Sequence, residues 1–188
     1  VWLQKASDEG LVTALTVVFT SMVFHGDANH LASVKAVQKG YPLRGELELS
    51  TIPFSTNKSL YQIVDHGPKV GEVWVDARIL PLLGIEVGES IELGDVALRV
   101  TQTIISEPDR GDSFSLFGAR VLMSWQDMLE SGLVQPGSRV GYRLLLAGEN
   151  KSLQRYLDWL QPKMDVHDSL LSPDEAQASI ASTMQRGR

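Results

Sequence analysis

The stretch SIELGDVALRVT, residues 90–101, carries the clearest structural pattern in the sequence. Apolar residues alternate with polar ones on both sides of Gly94 and Asp95, a pair typical of two-residue hairpin turns. Because successive side chains of a strand point to opposite faces, this pattern predicts a β-hairpin with one buried face. The apolar set is Ile91, Leu93, Val96, Leu98 and Val100.

A second hairpin is predicted nearer the N-terminus. Residues 13–24 are rich in Val, Thr and Phe, which suit a pleated surface and predict a long strand. Residues 25–29 have turn chemistry, and residues 31–37 form another extended run that pairs with the first. Three shorter strands are predicted at 72–76, 120–123 and 139–147.

Helical signals lie between and beyond these strands. They predict a turn or two of helix over residues 2–10 and a short helix from Asp76 to Leu83 that ends at Gly84. A further helix begins at the capping pair Ser124 and Asp127. An amphipathic helix is capped by Asn150 and ends before Pro162, and a C-terminal helix is capped by Ser172. The strand at 139–147, the amphipathic helix and a further strand at 164–167 together form a βαβ-like unit. Residues 51–69 and 106–118 have loop composition. The fold class is therefore α+β.

The composition excludes several classes of protein. The 188 residues are 43% apolar, carry a formal net charge of -6 and include no cysteine. These values indicate a globular protein without disulfides or thiolate metal sites, and argue against a nucleic-acid partner. The longest apolar run, residues 11–24, is too short and polar to span a bilayer. The abrupt ends suggest an excised part of a longer protein.

The motif GYPLRGEL, residues 40–47, partly matches a phosphate-binding loop. Glu46, however, stands where such a loop requires a lysine, and its carboxylate would repel phosphate. The structural interpretation is a bend, because Pro42 restricts Tyr41 to extended conformations while Gly40 and Gly45 permit conformations that other residues resist.

Catalytic and metal-binding patterns are weak. Gly111, Asp112 and Ser113 match the tripeptide of GDS-type lipid hydrolases, but the only D-x-x-H pair, Asp27 and His30, precedes the serine instead of following it. His25, Asp27 and His30 lack further metal ligands of evident spacing. We therefore predict no enzyme activity, no metal and no cofactor.

Phe114, Leu116 and Phe117 lie within a polar loop. Exposed apolar groups in one patch often mark a binding surface, so these residues form a candidate binding surface. The alternative is that they fold back over the core.

The run FTSMVFHGDANHLASVKAVQKGYPLRGE, residues 19–46, resembles the start of the extracytoplasmic region of FtsX-like permeases of ABC transporters, particularly those of the YbbP type. The most specific part is SVKAVQKGYPLRGEL. The resemblance continues through residues 71–95, 107–123 and 133–148, and weakens over the last 40 residues.

This resemblance implies a MacB-like periplasmic core domain with two lobes. A porter-like βαβ lobe would comprise residues 1–50 and 138–188, and an inserted β-rich, Sabre-like lobe would comprise residues 51–137. The family motif marks a structural signature, in which Arg44 is available to a carboxylate and Tyr41 packs by its ring. Its residues are Lys35, Gly40, Tyr41, Pro42, Arg44 and Gly45.

The function implied is that of a non-catalytic domain of a permease in the bacterial inner membrane, with this domain in the periplasm. It would transmit motion driven by a cytoplasmic ABC ATPase subunit, bind a lipidic or hydrophobic substrate for export or extraction, or do both. A dimeric permease and a periplasmic lysophospholipase or thioesterase partner are also implied. Two alternatives stay open: a GDS-type esterase that uses Ser113, and an envelope adaptor that docks another protein.

Overall fold

The computed structural model of the chain describes residues 1–109 and 118–171. Within these residues it contains one nine-stranded sheet and a few short helices, which confirms the predicted α+β class. The strands are β1 (Val12–His25), β2 (Ala28–Val37), β3 (Leu47–Ser50), β4 (Gln62–Val64), β5 (Glu72–Val75), β6 (Ser90–Leu93), β7 (Val96–Ser106), β8 (Arg120–Ser124) and β9 (Gly141–Ala147).

The helices lie between strands or at the ends of the chain. They are α1 (Trp2–Asp8), α2 (Ile79–Leu83), α3 (Trp125–Glu130) and α4 (Asn150–Leu160), with 3-10 turns at Lys58–Leu60 and Gln161–Lys163. Most of the predicted strands and helices are therefore confirmed to within one or two residues.

The chain divides into two compact units. The larger unit comprises Ala14–Pro108 and Gly118–Leu145. In the described residues, the smaller unit comprises Val1–Thr13, Asp109 and residues 146–171. The lobe boundaries expected from the family resemblance stay a prediction.

The sheet of the larger unit has the strand order β4-β3-β7-β5-β8-β2-β1-β6, and β6 also pairs with β7. Six strands thus form a closed ring, to which β3 and β4 are added at β7. The pairs β2–β8 and β5–β7 are parallel, whereas the pairs β1–β2 and β6–β7 are antiparallel. Strand β9 pairs with β1.

Both predicted hairpins are confirmed. In the β6–β7 hairpin Ile91 lies opposite Leu98, and both side chains are buried. The turn residue Gly94 has a φ of 57°, and a Cβ there would collide with the backbone oxygen of Ser131. Asp95 donates its amide to the same oxygen at 2.9 Å. The turn is therefore fixed against the end of α3.

Helix α3 begins as the sequence predicts. The Ser124 hydroxyl accepts a hydrogen bond from the Asp127 amide at 3.0 Å, which satisfies one of the free donors of the first turn. The Asp127 carboxylate accepts from the amide of Gly71, at 3.0 Å and 3.1 Å to its two oxygens. This contact joins α3 to the segment that leads into β5.

In the smaller unit, α1 packs with α4 around the buried side chains of Ala6, Leu11, Tyr156 and Leu160. The Tyr156 hydroxyl donates to the carbonyl oxygen of Trp2 at 3.2 Å, and burial raises its pKa. The amphipathic stripe predicted for α4 is the face that makes these contacts.

Four local predictions are wrong. Helix α2 begins at Ile79 with Arg78 as its N-cap, not directly after Asp76. Glu149, not Asn150, is the N-cap of α4. Residues 164–167 form no strand, because Met164 follows a 3-10 turn and packs against the apolar cluster of the smaller unit. Residues 51–69, expected to be a loop, contain β4, which pairs with β3. The helix predicted from Ser172 lies outside the described residues.

Candidate functional site

The signature loop, residues 38–46, joins β2 to β3 in the larger unit. It is fixed at its start, where the Gln38 amide donates to Leu15 O at 3.0 Å and the Tyr41 amide donates to Gln38 O at 3.2 Å. The Tyr41–Pro42 peptide bond is cis. The glycines allow positive φ angles of 99° at Gly40 and 77° at Gly45.

The loop carries Tyr41 into a set of polar side chains that we call the ion cluster. Its members are Ser33, Lys35, Tyr41, Glu107 and Arg120. Ser33 and Lys35 lie on β2, Glu107 directly follows β7, and Arg120 begins β8. The parallel pairing of β2 with β8 places Ser33 opposite Arg120.

Glu107 is the centre of the ion cluster. Its Oε1 accepts from Lys35 Nζ at 2.6 Å, and its Oε2 accepts from Arg120 Nε at 3.2 Å. Lys35 Nζ also donates to the Tyr41 hydroxyl at 2.9 Å and lies 4.5 Å from the centre of the Tyr41 ring. Arg120 Nη1 donates to Ser33 Oγ at 2.9 Å. Each of the two cations therefore contacts the carboxylate and a hydroxyl.

The charged side chains of the ion cluster are almost completely withdrawn from solvent. Side-chain exposure is 1% for Lys35, 0% for Glu107 and 2% for Arg120. Charges in such a place are tolerated only when they are paired and hydrogen-bonded, because desolvation of an unpaired charge costs several kcal/mol, on the order of 3–5 when a partner is removed. The arrangement suits a structural connection, since its polar atoms are directed at one another.

The ion cluster also holds the two ends of one segment together. Glu107 precedes residues 108–119 and Arg120 follows them, so their ion pair closes this span at its base. The signature loop contacts the same base, because a Cβ added at Gly45 would lie 2.7 Å from Cβ of Pro108. A glycine is therefore required at position 45 both by its backbone conformation and by the close approach of Pro108.

Comparison with known proteins shows what the chain is similar to. The chain is 32% identical, over 187 residues and its whole length, to the uncharacterized ABC transporter permease YbbP of Escherichia coli (strain K12). The chain is homologous to a segment of an ABC transporter permease. It spans 22% of the length of that relative. The predicted resemblance to permeases of the YbbP type is confirmed, while no family model matches the sequence.

A solved structure is also similar to this chain. It is the crystal structure of a domain of a protein described as a permease, from Porphyromonas gingivalis, with 14% sequence identity and a TM-score of 0.44. The similarity covers 84% of this chain and 71% of that chain.

The structure brings together two of the six signature residues, Lys35 and Tyr41, at hydrogen-bond distance. Pro42 is buried beside Tyr41. Arg44 is exposed, and it makes no ion pair within the described residues. The carboxylate of the ion cluster, Glu107, contacts Lys35 and Arg120, and the expected carboxylate partner of Arg44 stays a prediction.

Sequence reasoning missed Ser33, Glu107 and Arg120. One signal was available: Ser33 and Lys35 share a face of β2 within residues 32–37, whose other members are all apolar, which indicates buried polar partners. The partners themselves could not be identified, since Glu107 lies 72 positions beyond Lys35.

The other predicted sites are either dispersed or outside the described residues. Ser113, Phe114, Leu116 and Phe117 lie outside them. His25 Nδ1 is 2.8 Å from Ser90 O, and no group of three or more His, Asp or Glu side chains within residues 1–109 and 118–171 is arranged to hold a metal ion. None of the described helices is both long and apolar enough to cross a bilayer.

Proposed function

We propose that this chain is the periplasmic, non-catalytic domain of an ABC transporter permease of the bacterial inner membrane. In this proposal a cytoplasmic ATPase subunit supplies the energy, and the domain transmits the resulting motion to the periplasm. The similarity of the whole chain to one segment of an ABC transporter permease supports the assignment.

The ion cluster is the observation that carries the non-catalytic part of the proposal. A catalytic acid or base must reach substrate, whereas Lys35, Glu107 and Arg120 are buried and hydrogen-bonded to one another. Lys35, Glu107 and Arg120 therefore connect strands to one another and do not face a substrate. Such connections suit a domain that must stay rigid while it transmits a force.

The connectivity of the larger unit suits transmission of displacement. Packed protein interiors have low compressibility, so a movement applied to one strand is carried to its neighbours with little loss. The ion cluster adds polar links between the neighbouring strands β2 and β8 and the end of β7, which β5 separates from β8 in the sheet. Push and pull along β2 would thus reach the end of β7 and the start of β8 directly.

We further propose a lipidic or hydrophobic cargo, for which Phe114, Leu116 and Phe117 form the candidate binding surface. In the sequence they lie between Glu107 and Arg120, whose side chains form an ion pair. A periplasmic lysophospholipase or thioesterase would be a fitting partner, because such enzymes act on lipid or fatty-acyl substrates. Recovery of lipids with the purified permease, and their loss in a Phe114→Ser/Phe117→Ser variant, would test this point.

The transmission proposal can be tested with spin labels. The sequence contains no cysteine, so a single label at Leu82→Cys, an exposed residue of α2, is specific within this chain. We expect two permease copies in the assembled transporter, and hence one measurable label-to-label distance. Double electron–electron resonance would be recorded on the full-length permease with its ATPase, without nucleotide and with ATP plus vanadate.

The expected result is a shift of that distance between the two nucleotide states. An ATPase subunit unable to bind ATP serves as the control and should give the nucleotide-free distance under both conditions. An identical distance in both states with the active ATPase would contradict the proposal, as would a permease that does not bind an ATPase subunit.

A further inference from the structure

A group of large apolar side chains is exposed around the shortest strand of the larger unit. Exposure is 49% for Ile52, 62% for Phe54, 45% for Leu60 and 60% for Ile63. Single exposed apolar residues are ordinary, whereas four within twelve positions of one segment are a concentration of the kind that marks interaction sites; we call these four residues the patch. Sequence analysis missed this patch because the segment has loop composition.

The segment that carries the patch is fixed by its own hydrogen bonds. The Ser50 hydroxyl donates to Ile52 O and accepts from the Ile52 amide, both at 3.0 Å. The Tyr61 hydroxyl donates to Ser55 O at 2.7 Å, which holds the residue after Phe54 beside the start of β4. A surface arranged before binding loses less conformational entropy when a partner arrives.

Phe54 has an unusual backbone conformation. Its φ is 58°, and within the described residues it is the one position other than glycine with a positive φ. Bulky residues avoid this region, and such outliers cluster at functional sites. The conformation is maintained although the Phe54 side chain gains little burial from it.

The patch adjoins an open edge of the sheet. Strand β4 is the last in the strand order, and within the described residues it pairs only with β3. The other edge of β4 therefore presents backbone donors and acceptors that an additional strand would pair with. An extended peptide satisfies such an edge directly, which a helix cannot do.

Charge and size indicate what kind of strand fits. Lys58, which is exposed, is the single charged side chain of residues 51–64, and the exposed Asp65 directly follows β4. A partner strand is therefore favoured when it places an acidic residue near Lys58 and away from Asp65. Stable dimers bury roughly 800 Å² per partner, and a three-residue edge with four half-exposed side chains offers less. The edge thus suits a short segment bound transiently better than a second copy of the chain.

We propose that the free edge of β4, together with Ile52, Phe54, Leu60 and Ile63, is a docking site for an extended segment of a partner protein that carries apolar side chains and an acidic residue. The site does not depend on the proposed transport function, because it follows from the edge, the patch and the charge alone.

The test uses the full 188-residue chain labelled with ¹⁵N and a synthetic probe, the acetylated and amidated peptide TVTVDVTV. Nuclear magnetic resonance titration should shift the amide signals of residues 60–64, and hydrogen exchange of residues 62–64 should slow at least tenfold. The probe with N-methyl groups at alternate residues, which removes backbone donors, should bind at least tenfold more weakly. The probe with Lys in place of Asp should bind about threefold more weakly.

A matched pair of variants separates this site from nonspecific apolar binding. Ile63→Lys should lower the affinity for the probe at least tenfold, whereas Leu129→Lys, at an equally exposed residue of α3, should leave it unchanged. The proposal would be overturned by equal losses in both variants, by undiminished binding of the N-methylated probe, or by unchanged amide signals at residues 60–64. Self-association of the chain through β4 without any probe would also overturn it, because the occupant would then be a second copy.

Discussion

Lys35 Nζ lies 2.6 Å from Oε1 of Glu107, although the two residues are 72 positions apart in the sequence. Both side chains are buried, and each has a second partner: Lys35 contacts the Tyr41 hydroxyl and Glu107 contacts Arg120. This pair connects the signature loop to the base of the span 108–119. The Lys35–Glu107 pair therefore gives the signature loop a structural role.

The two arginines Arg120 and Arg44 should differ sharply in their importance. Arg120→Ala removes a cation from a buried carboxylate and leaves the Ser33 hydroxyl without that donor, so we expect a loss of about 3–5 kcal/mol in the free energy of unfolding. Arg44→Ala at an exposed site is the matched control and should cost within about 0.5 kcal/mol. Urea denaturation measures both. Equal losses of unfolding free energy in the two variants would show that Arg120 does not stabilise the fold through the ion cluster.

The glycines of the signature loop provide a second test. Both Gly40 and Gly45 have positive φ angles, so an alanine at either position costs about 1–2 kcal/mol in backbone strain. Only at Gly45 would the new methyl group also collide with Pro108, whereas at Gly40 nothing lies within 4 Å. We expect Gly45→Ala to be less stable than Gly40→Ala by about 1–3 kcal/mol in urea denaturation. Similar stabilities would argue against the close approach.

The carboxyl group of Glu9 should titrate at an unusually low pH. Hydrogen bonds from Lys5, at 2.6 Å, and from Arg155, at 2.7 Å, hold the Glu9 pKa below its usual value of 4.5. A lowered folded-state pKa contributes stability that is present above the unfolded pKa and is lost as the pH falls through the folded value.

Alanine variants of Lys5 and Arg155 show which of the two side chains lowers the Glu9 pKa more. Lys5→Ala should raise the Glu9 pKa more than Arg155→Ala, because the Lys5 ion pair is less exposed to solvent than the Arg155 ion pair. Carbon-detected titration of the Glu9 carboxyl group gives the values. Lys163→Ala, whose ammonium contacts Trp159, is the control and should leave the pKa unchanged. The reverse order of the first two variants would contradict the assignment.

Hydrolysis of simple esters should be absent. Asp27 and His30, the one D-x-x-H pair, lie on the β1–β2 hairpin and make no hydrogen bond with each other. We therefore expect the purified chain to hydrolyse p-nitrophenyl esters no faster than buffer, and Ser113→Ala to behave like the wild type. Turnover that disappears in Ser113→Ala would establish the esterase alternative instead.

Local patterns determined which elements could be predicted from the sequence. The β6–β7 hairpin is encoded by alternation around Gly94 and Asp95, and the start of α3 by the pairing of Ser124 with the Asp127 amide. Both signals act over a few residues and need no tertiary context. The strand expected at 164–167 failed because Met164 packs with α1 and α4 rather than in a sheet.

Contacts between residues far apart in the sequence could not be predicted from local patterns. Edge strand β4 has only three residues, and its existence depends on pairing with β3, so no local periodicity reveals it. The ion cluster depends on the parallel pairing of β2 with β8, which places Arg120 opposite Ser33. A family resemblance indicated that the signature loop matters, but the identity of the carboxylate required the fold.

The most direct test of the account is the interaction free energy between Lys35 and Glu107. It is obtained from the stabilities of Lys35→Met, Glu107→Gln and the double variant in urea denaturation, together with that of the wild-type chain. If the ion cluster is the structural connection described above, the interaction should be at least about 2 kcal/mol, with the double variant far less destabilised than the sum of the two single variants. Effects that add to within about 0.5 kcal/mol would contradict the account.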